Sequence, residues 1–94
     1  MKLDYAKKVV WITGASSGIG KELALSLAND GAIVAASARS QDKLNELREH
    51  SLNIHVYPVD VTDTAACARV AAQIAGDLGA IDLAILNAGV FHPM

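Results

Sequence analysis

The run Thr13-Gly14-Ala15-Ser16-Ser17-Gly18-Ile19-Gly20 constrains this chain more than any other part of it. It follows the short β-branched segment Val9-Val10-Trp11-Ile12 and precedes a stretch in which Ile19, Leu23 and Leu27 recur every four residues, with Ala24 and Ala28 beside them. A continuous apolar run of that kind marks a strand buried on both faces, and the four-residue recurrence marks an amphipathic helix. A helix N-terminus placed there presents unpaired N–H groups and the positive end of the helix dipole, and residues without Cβ let an anion approach the backbone. The plainer reading of the same glycines is a tight turn and close packing of helix on sheet.

The rest of the chain repeats the alternation. Asp30-Gly31 supplies a left-handed stop, and Ala32 to Ser37 reads as a second strand. Ser40 then caps a helix whose apolar stripe runs through Leu44 and Leu47. Ile54 to Val59 reads as a third strand, and Pro58, which has no N–H to give a ladder, assigns it to a sheet edge. Asp60-Val61-Thr62-Asp63 leads into a helix with Cys67, Val70, Ala71 and Ile74 on one face, Gly76 and Gly79 loosening its exit, and Leu83 to Leu86 forms a fourth strand. Strands and helices alternating at this spacing predict an α/β, Rossmann-like, doubly wound parallel sheet with right-handed crossovers and strand order 3-2-1-4, incomplete at four strands. At 94 residues the chain is one module at most, and four aromatics against seventeen alanines call for a core of aliphatics and closely approaching helices.

Composition narrows the function. Apolar residues make up 52% and charged residues 19%, with mean hydropathy +0.30, which argues against disorder. A net charge of −2 leaves no basic field for nucleic acid. The lone Cys67 forms neither an internal disulfide nor metal-ligand spacing, so no metal is expected and a reducing compartment fits. Without a signal-length or membrane-length apolar run, the chain reads as soluble and cytoplasmic.

Two phosphate-binding patterns fail on the glycine-rich run. A Walker-type loop needs Gly, four residues, then Gly-Lys-Ser/Thr, but counting back from Gly20-Lys21 puts Ala15 at the first position and Glu22 at the last. Hydrolysis of ATP or GTP is accordingly the weakest of the readings. Gly-x-Gly-x-x-Gly is absent as well, because three residues separate Gly14 from Gly18. The spacing that does fit is Thr-Gly-x-x-x-Gly-x-Gly, and with Asp60-Val61 after the third strand and Asn87-Ala88-Gly89 after the fourth the sequence resembles the short-chain dehydrogenase/reductase family. Its extended branch would carry Gly where this chain has Ser17. The resemblance covers nearly all 94 residues but only the first half of the family's domain.

The resemblance implies that Gly14, Ser16, Ser17, Gly18, Ile19 and Gly20 line the adenosine and pyrophosphate portion of a dinucleotide, with helix capping as the alternative role of the two serines. Where the second strand ends, a carboxylate would accept from the 2′-OH of NAD and repel the 2′-phosphate of NADP. This chain has Ala38 and then Arg39, an uncharged residue followed by a planar donor fork, so NADP is the expected cofactor rather than NAD, with Ser40 and Lys43 as candidates to assist. Asp60 would reach the adenine amino group with Val61 beside it, or would begin the helix cap with Thr62 and Asp63. Asn87, Ala88 and Gly89 would pass under the cofactor.

No catalytic residue is expected in this chain. The family's proton donor is a Tyr followed four positions later by Lys, with Ser and Asn assisting, whereas Tyr57 is followed at that spacing by Val61 and Tyr5 has Lys8 three residues on. His50, His55 and His92 form no cluster and read as surface or strand residues, and Cys67 reads as core filler. Residues 1–94 are therefore expected to be a partial NAD(P)-binding domain, the cofactor-binding half of an oxidoreductase whose intact form moves hydride between NADP(H) and a carbonyl or alcohol. This part alone should not turn over. A non-catalytic dinucleotide-binding or sensor module is the alternative. Apolar surface beside Val70 and Ile74, together with an uncovered fourth strand, is expected to drive self-association.

Overall fold

The β-branched and alanine-rich segments form strands because both their faces are buried. A computed structural model describes residues 5–16 and 18–86. Within them lie β1 (Val9–Thr13), α1 (Gly18–Asn29), β2 (Ile33–Ser37), α2 (Gln41–Arg48), β3 (Ile54–Val56), α3 (Thr64–Leu78) and β4 (Leu83–Leu86). The strands form one parallel sheet in the order β3-β2-β1-β4, as the alternation predicts.

Successive residues of a strand face opposite sides, and the two sides have separate cores. Val10, Ile12, Val34 and Ala36 join Ala24, Leu27 and Ala28 of α1 and Leu44 and Leu47 of α2. Val9, Trp11 and Ala35 join Val70 and Ile74 of α3 on the other side. Every residue of β1 is buried, whereas β4, at the end of the strand order, alternates between half-buried and exposed. The N-terminal ends of these two strands are held in register by a reciprocal pair: the Val9 N–H donates to Asp82 Oδ2 at 2.8 Å, and the Asp82 N–H donates to the Val9 carbonyl at 2.9 Å.

Chain punctuation follows local chemistry. Gly31, at φ 97°, ends α1, with its N–H on the Ala28 carbonyl (3.0 Å) and the Ala32 N–H on the Leu27 carbonyl (3.0 Å). Two expectations change. Ile19 is 80% exposed and stands off the stripe of α1, which runs instead through Gly20, Ala24, Leu27 and Ala28, because one residue of helix rotation carries Ile19 away from the sheet. β3 is three residues long rather than six, yet its hydrogen bonding to the neighbouring strand continues: Tyr57 N–H donates to the Ala36 carbonyl (2.9 Å) and Val59 N–H to the Ala38 carbonyl (3.0 Å). Pro58 falls between these donors, at the position whose N–H would point to the open edge, which is how the strand tolerates it.

One buried and one half-buried hydrogen bond tie the α3 side together. Trp11 Nε1 donates to Ser37 Oγ at 2.8 Å, and the Tyr57 hydroxyl donates to Asp77 Oδ2 at 3.0 Å, joining the segment after β3 to the last turns of α3. Burial, then the hydrogen bond and the charge of Asp77, push the Tyr57 phenol from 10.0 up to about 12. Here the fold favours the neutral form, so the contribution is whole below pH 10.0 and is lost as pH rises towards about 12, where the unfolded phenol ionises first. Urea midpoints should therefore fall between about pH 8 and about pH 11, and fall less in Tyr57→Phe. Equal falls in both proteins would show that Tyr57 does not carry this dependence.

Candidate functional site

The carboxyl ends of the strands are level. Thr13 pairs with Ser37 and with Leu86, and Ala36 pairs with Val56, so the loops that follow all leave along one edge. In open parallel α/β sheets that edge is where ligands bind, at the point where the winding reverses. Here the reversal lies between β1, which leads to β2 on one side, and β4 on the other, and the glycine-rich turn rises directly beside it.

That turn is held by its own backbone. Gly14 at φ 66° and Gly18 at φ 59° occupy the left-handed region, and between them Ala15 is fully buried with its N–H donating to the Ser37 carbonyl at 3.1 Å. This bond fastens the turn to the end of β2. α1 starts at Gly18 with no acidic residue in its first turn, so no carboxylate there competes for its N-terminal N–H groups. A Cβ built on Gly18 would meet no atom within 4 Å among the described residues, so none of them crowds that position. Gly20 is buried on the stripe facing the sheet, whereas Gly18 is exposed, so the glycines of one run sit in different surroundings. Ser16 is half-buried at the turn, and Ser17 lies outside the described residues.

At the end of β2 the chain delivers Ala38, buried, and Arg39, exposed. Ser40 caps α2, its Oγ accepting the Lys43 N–H at 3.3 Å. The loop after β3 is built on Asp60, whose Oδ1 accepts both the N–H (2.9 Å) and the hydroxyl (2.7 Å) of Thr62. The Thr62 hydroxyl first, then its N–H, hold the Asp60 carboxyl below its usual 3.8, and the charge of Arg39 adds to this. The cap of α3 belongs to Asp63, whose Oδ1 accepts the Ala66 N–H at 3.0 Å, so Asp60 shapes the turn before the helix rather than the cap itself. Val61 is 41% exposed.

A largely apolar groove of about 510 Å³ runs between α3 and the sheet beside this loop, lined by Trp11, Thr13, Val61, Thr64, Cys67, Ala68, Ala71 and Leu86. Cys67 is half-buried at its wall, with Sγ 3.8 Å from the Asp60 and Val61 carbonyl oxygens. His50 is exposed and His55 sits half-buried in β3. Among the described residues there is no group of three or more His, Cys, Asp or Glu able to hold a metal, and no helix long and apolar enough to cross a membrane. Asn87, Ala88 and Gly89 lie outside the described residues, as does His92. Of the cap that the sequence offered through Asp60, Thr62 and Asp63, the structure keeps the Asp60–Thr62 pairing as a turn closed by a side chain on the backbone ahead of it, and gives the helix start to Asp63.

The family model for the short chain dehydrogenases matches residues 8–94. An uncharacterised oxidoreductase of Mycobacterium tuberculosis is 43% identical over 89 residues, covering 87% of this chain and 26% of its own. The 2,3-dihydro-2,3-dihydroxybenzoate dehydrogenase of Bacillus subtilis is 37% identical over 90 residues, covering 92% of this chain and 34% of its own. Among solved structures, a hydroxysteroid dehydrogenase from Escherichia coli superposes with TM-score 0.87 at 31% identity, covering 95% of this chain and 40% of that one. The chain therefore spans between about a quarter and two fifths of the length of these relatives.

The turn geometry makes a stability prediction. Gly18→Ala should cost about 1 kcal/mol, because the strain comes from the left-handed backbone and not from a clash, and Gly18→Asn should cost less. Chemical denaturation of the three proteins checks the ranking; a costlier Asn than Ala would place the penalty in crowding.

Proposed function

Since the chain belongs to the short-chain dehydrogenase/reductase family, we propose that residues 1–94 are the dinucleotide-binding part of an oxidoreductase that uses NADP(H) to move hydride between the cofactor and a carbonyl or alcohol. One observation carries this reading. An open helix N-terminus, free of Cβ at Gly18 and of acidic residues in its first turn, is tied through Ala15 N–H to the end of the strand that presents Ala38 and Arg39 where a carboxylate would select NAD.

On this reading Gly14, Ser16, Ser17, Gly18, Ile19 and Gly20 surround the pyrophosphate and its adenosine side, with the N–H groups of the turn as donors. Arg39 receives the 2′-phosphate through charge-assisted hydrogen bonds, and Ser40, whose Oγ already caps α2, contributes by presenting that helix start beside it. Asp60 accepts from the adenine amino group and Val61 lies against the base. Asn87, Ala88 and Gly89 pass beneath the cofactor, where small side chains leave room. The dinucleotide, when bound, supplies the hydride. The proton belongs to residues outside these 94, since Tyr57 is committed to Asp77 and has no Lys four positions on, so this part binds without turning over.

Cofactor preference is the direct test. Titrating the chain with each dinucleotide should show tighter binding of NADP, and Arg39→Asp should lower the NADP-to-NAD affinity ratio by about tenfold or more. Equal affinities in the unsubstituted protein would refute the assignment.

The α3 side supports self-association as well. Leu86, 73% exposed on β4, continues the apolar groove to the sheet edge, and such a surface favours pairing with a second copy. Sedimentation should show concentration-dependent association that added salt does not weaken, and a dilute monomer at every concentration would count against it.

A further inference from the structure

Arg39 and Asp60 leave neighbouring strands side by side. The Val59 N–H donates to the Ala38 carbonyl at 3.0 Å, so the next residue of each chain segment, a guanidinium on one and a carboxylate on the other, emerges at the same edge. A carboxylate so placed is an internal competitor for any phosphate that Arg39 would bind, because a planar guanidinium pairs equally well with either anion. Yet one oxygen of that carboxylate is already occupied. Its Oδ1 accepts the Thr62 hydroxyl at 2.7 Å and the Thr62 N–H at 2.9 Å.

We propose that Thr62 is a positioning residue for cofactor selection: by gripping Oδ1 of Asp60 it holds that carboxylate off Arg39 and keeps the guanidinium available to a phosphate monoester on the ribose. This rests on the reading of Arg39 as the 2′-phosphate ligand. The two Thr62 hydrogen bonds and, after them, the charge of Arg39 hold the Asp60 carboxyl below its usual 3.8, so the guanidinium lies within electrostatic reach of it. The neighbouring acid Asp63 is committed to the N-terminus of α3, which leaves Asp60 as the competing carboxylate of this loop. Thr62 touches neither the base nor the phosphate on this account and acts through Asp60 alone.

A merely structural role for Thr62 would weaken both dinucleotides alike, so the readout is the ratio of NADP to NAD affinity measured by calorimetric titration of the full chain. Thr62→Val should lower that ratio by about two- to fivefold, the range of a solvent-exposed ion pair gained by Arg39, whereas Thr62→Ser should keep it. Adding Asp60→Asn to Thr62→Val should restore the ratio even though adenine binding weakens for both cofactors. Thr62 is exposed, and Thr62→Ala gives a second probe of the same contact with no β-branched side chain. A ratio unchanged in Thr62→Val and Thr62→Ala, or one not restored by Asp60→Asn, overturns the proposal. Arg39→Ala separates the two levels: if it collapses the ratio while the Thr62 variants do not, Arg39 keeps its role and Thr62 loses its own, and if it leaves the ratio unchanged both fall together.

Discussion

The parallel pairing of β1 with β2 and β4 is the constraint from which the rest follows. Parallel strands cannot be joined by hairpins, so each connection must cross back over the sheet, and helices lie along both faces. Because Thr13, Ser37 and Leu86 end at one level, every crossover departs from the same edge. The hydrogen bonds that continue past the strands, Ala15 N–H to Ser37 and Val59 N–H to Ala38, fix the first residues of those departures. The glycine turn, Arg39 and Asp60 are separated by many residues in sequence and are held together by backbone groups that no side-chain change removes.

The two faces of the sheet do different work. The α1 and α2 side is an aliphatic core in which alanines at 24, 28, 32 and 36 let helix and sheet approach closely, and this brings the N-terminus of α1 over the end of β1. The α3 side is looser. It carries the polar ties Trp11–Ser37 and Tyr57–Asp77, a half-buried cysteine, and the groove that opens beside Val61. Local chemistry at the edge follows the same economy, with one serine and one aspartate capping helices while a second aspartate folds the loop between them.

How far the sequence was legible depended on the range of the interaction concerned. Periodicity located the four strands and three helices of the described residues, because burial on one or two faces writes a pattern over consecutive residues. Ser40 as a cap and Gly31 as a stop were readable for the same reason, each acting within a few residues. Ile19 was misread because four-residue spacing does not say which side of the helix meets the sheet. The third strand was overdrawn, since continued hydrogen bonding and regular strand geometry part company around Pro58. At this edge the glycine run was legible as a tight turn, and Asp60 with Thr62 as a local side-chain pairing ahead of α3, whereas the nearness of Arg39 to that loop was not, being a matter of strand adjacency.

By itself, then, the sequence determined the α/β alternation, the strand order and the glycine-rich junction, all of which arise from local apolar periodicity and from the backbone freedom of Gly14 and Gly18. Tertiary structure alone decided which of the loop residues face one another: that Ala15 would be fastened to β2, that Tyr57 would close on Asp77, and that Arg39 would stand beside the Asp60 loop. Those pairings join residues up to 22 positions apart, and their distances follow from strands lying side by side, a relation that pattern along the chain implies but does not measure.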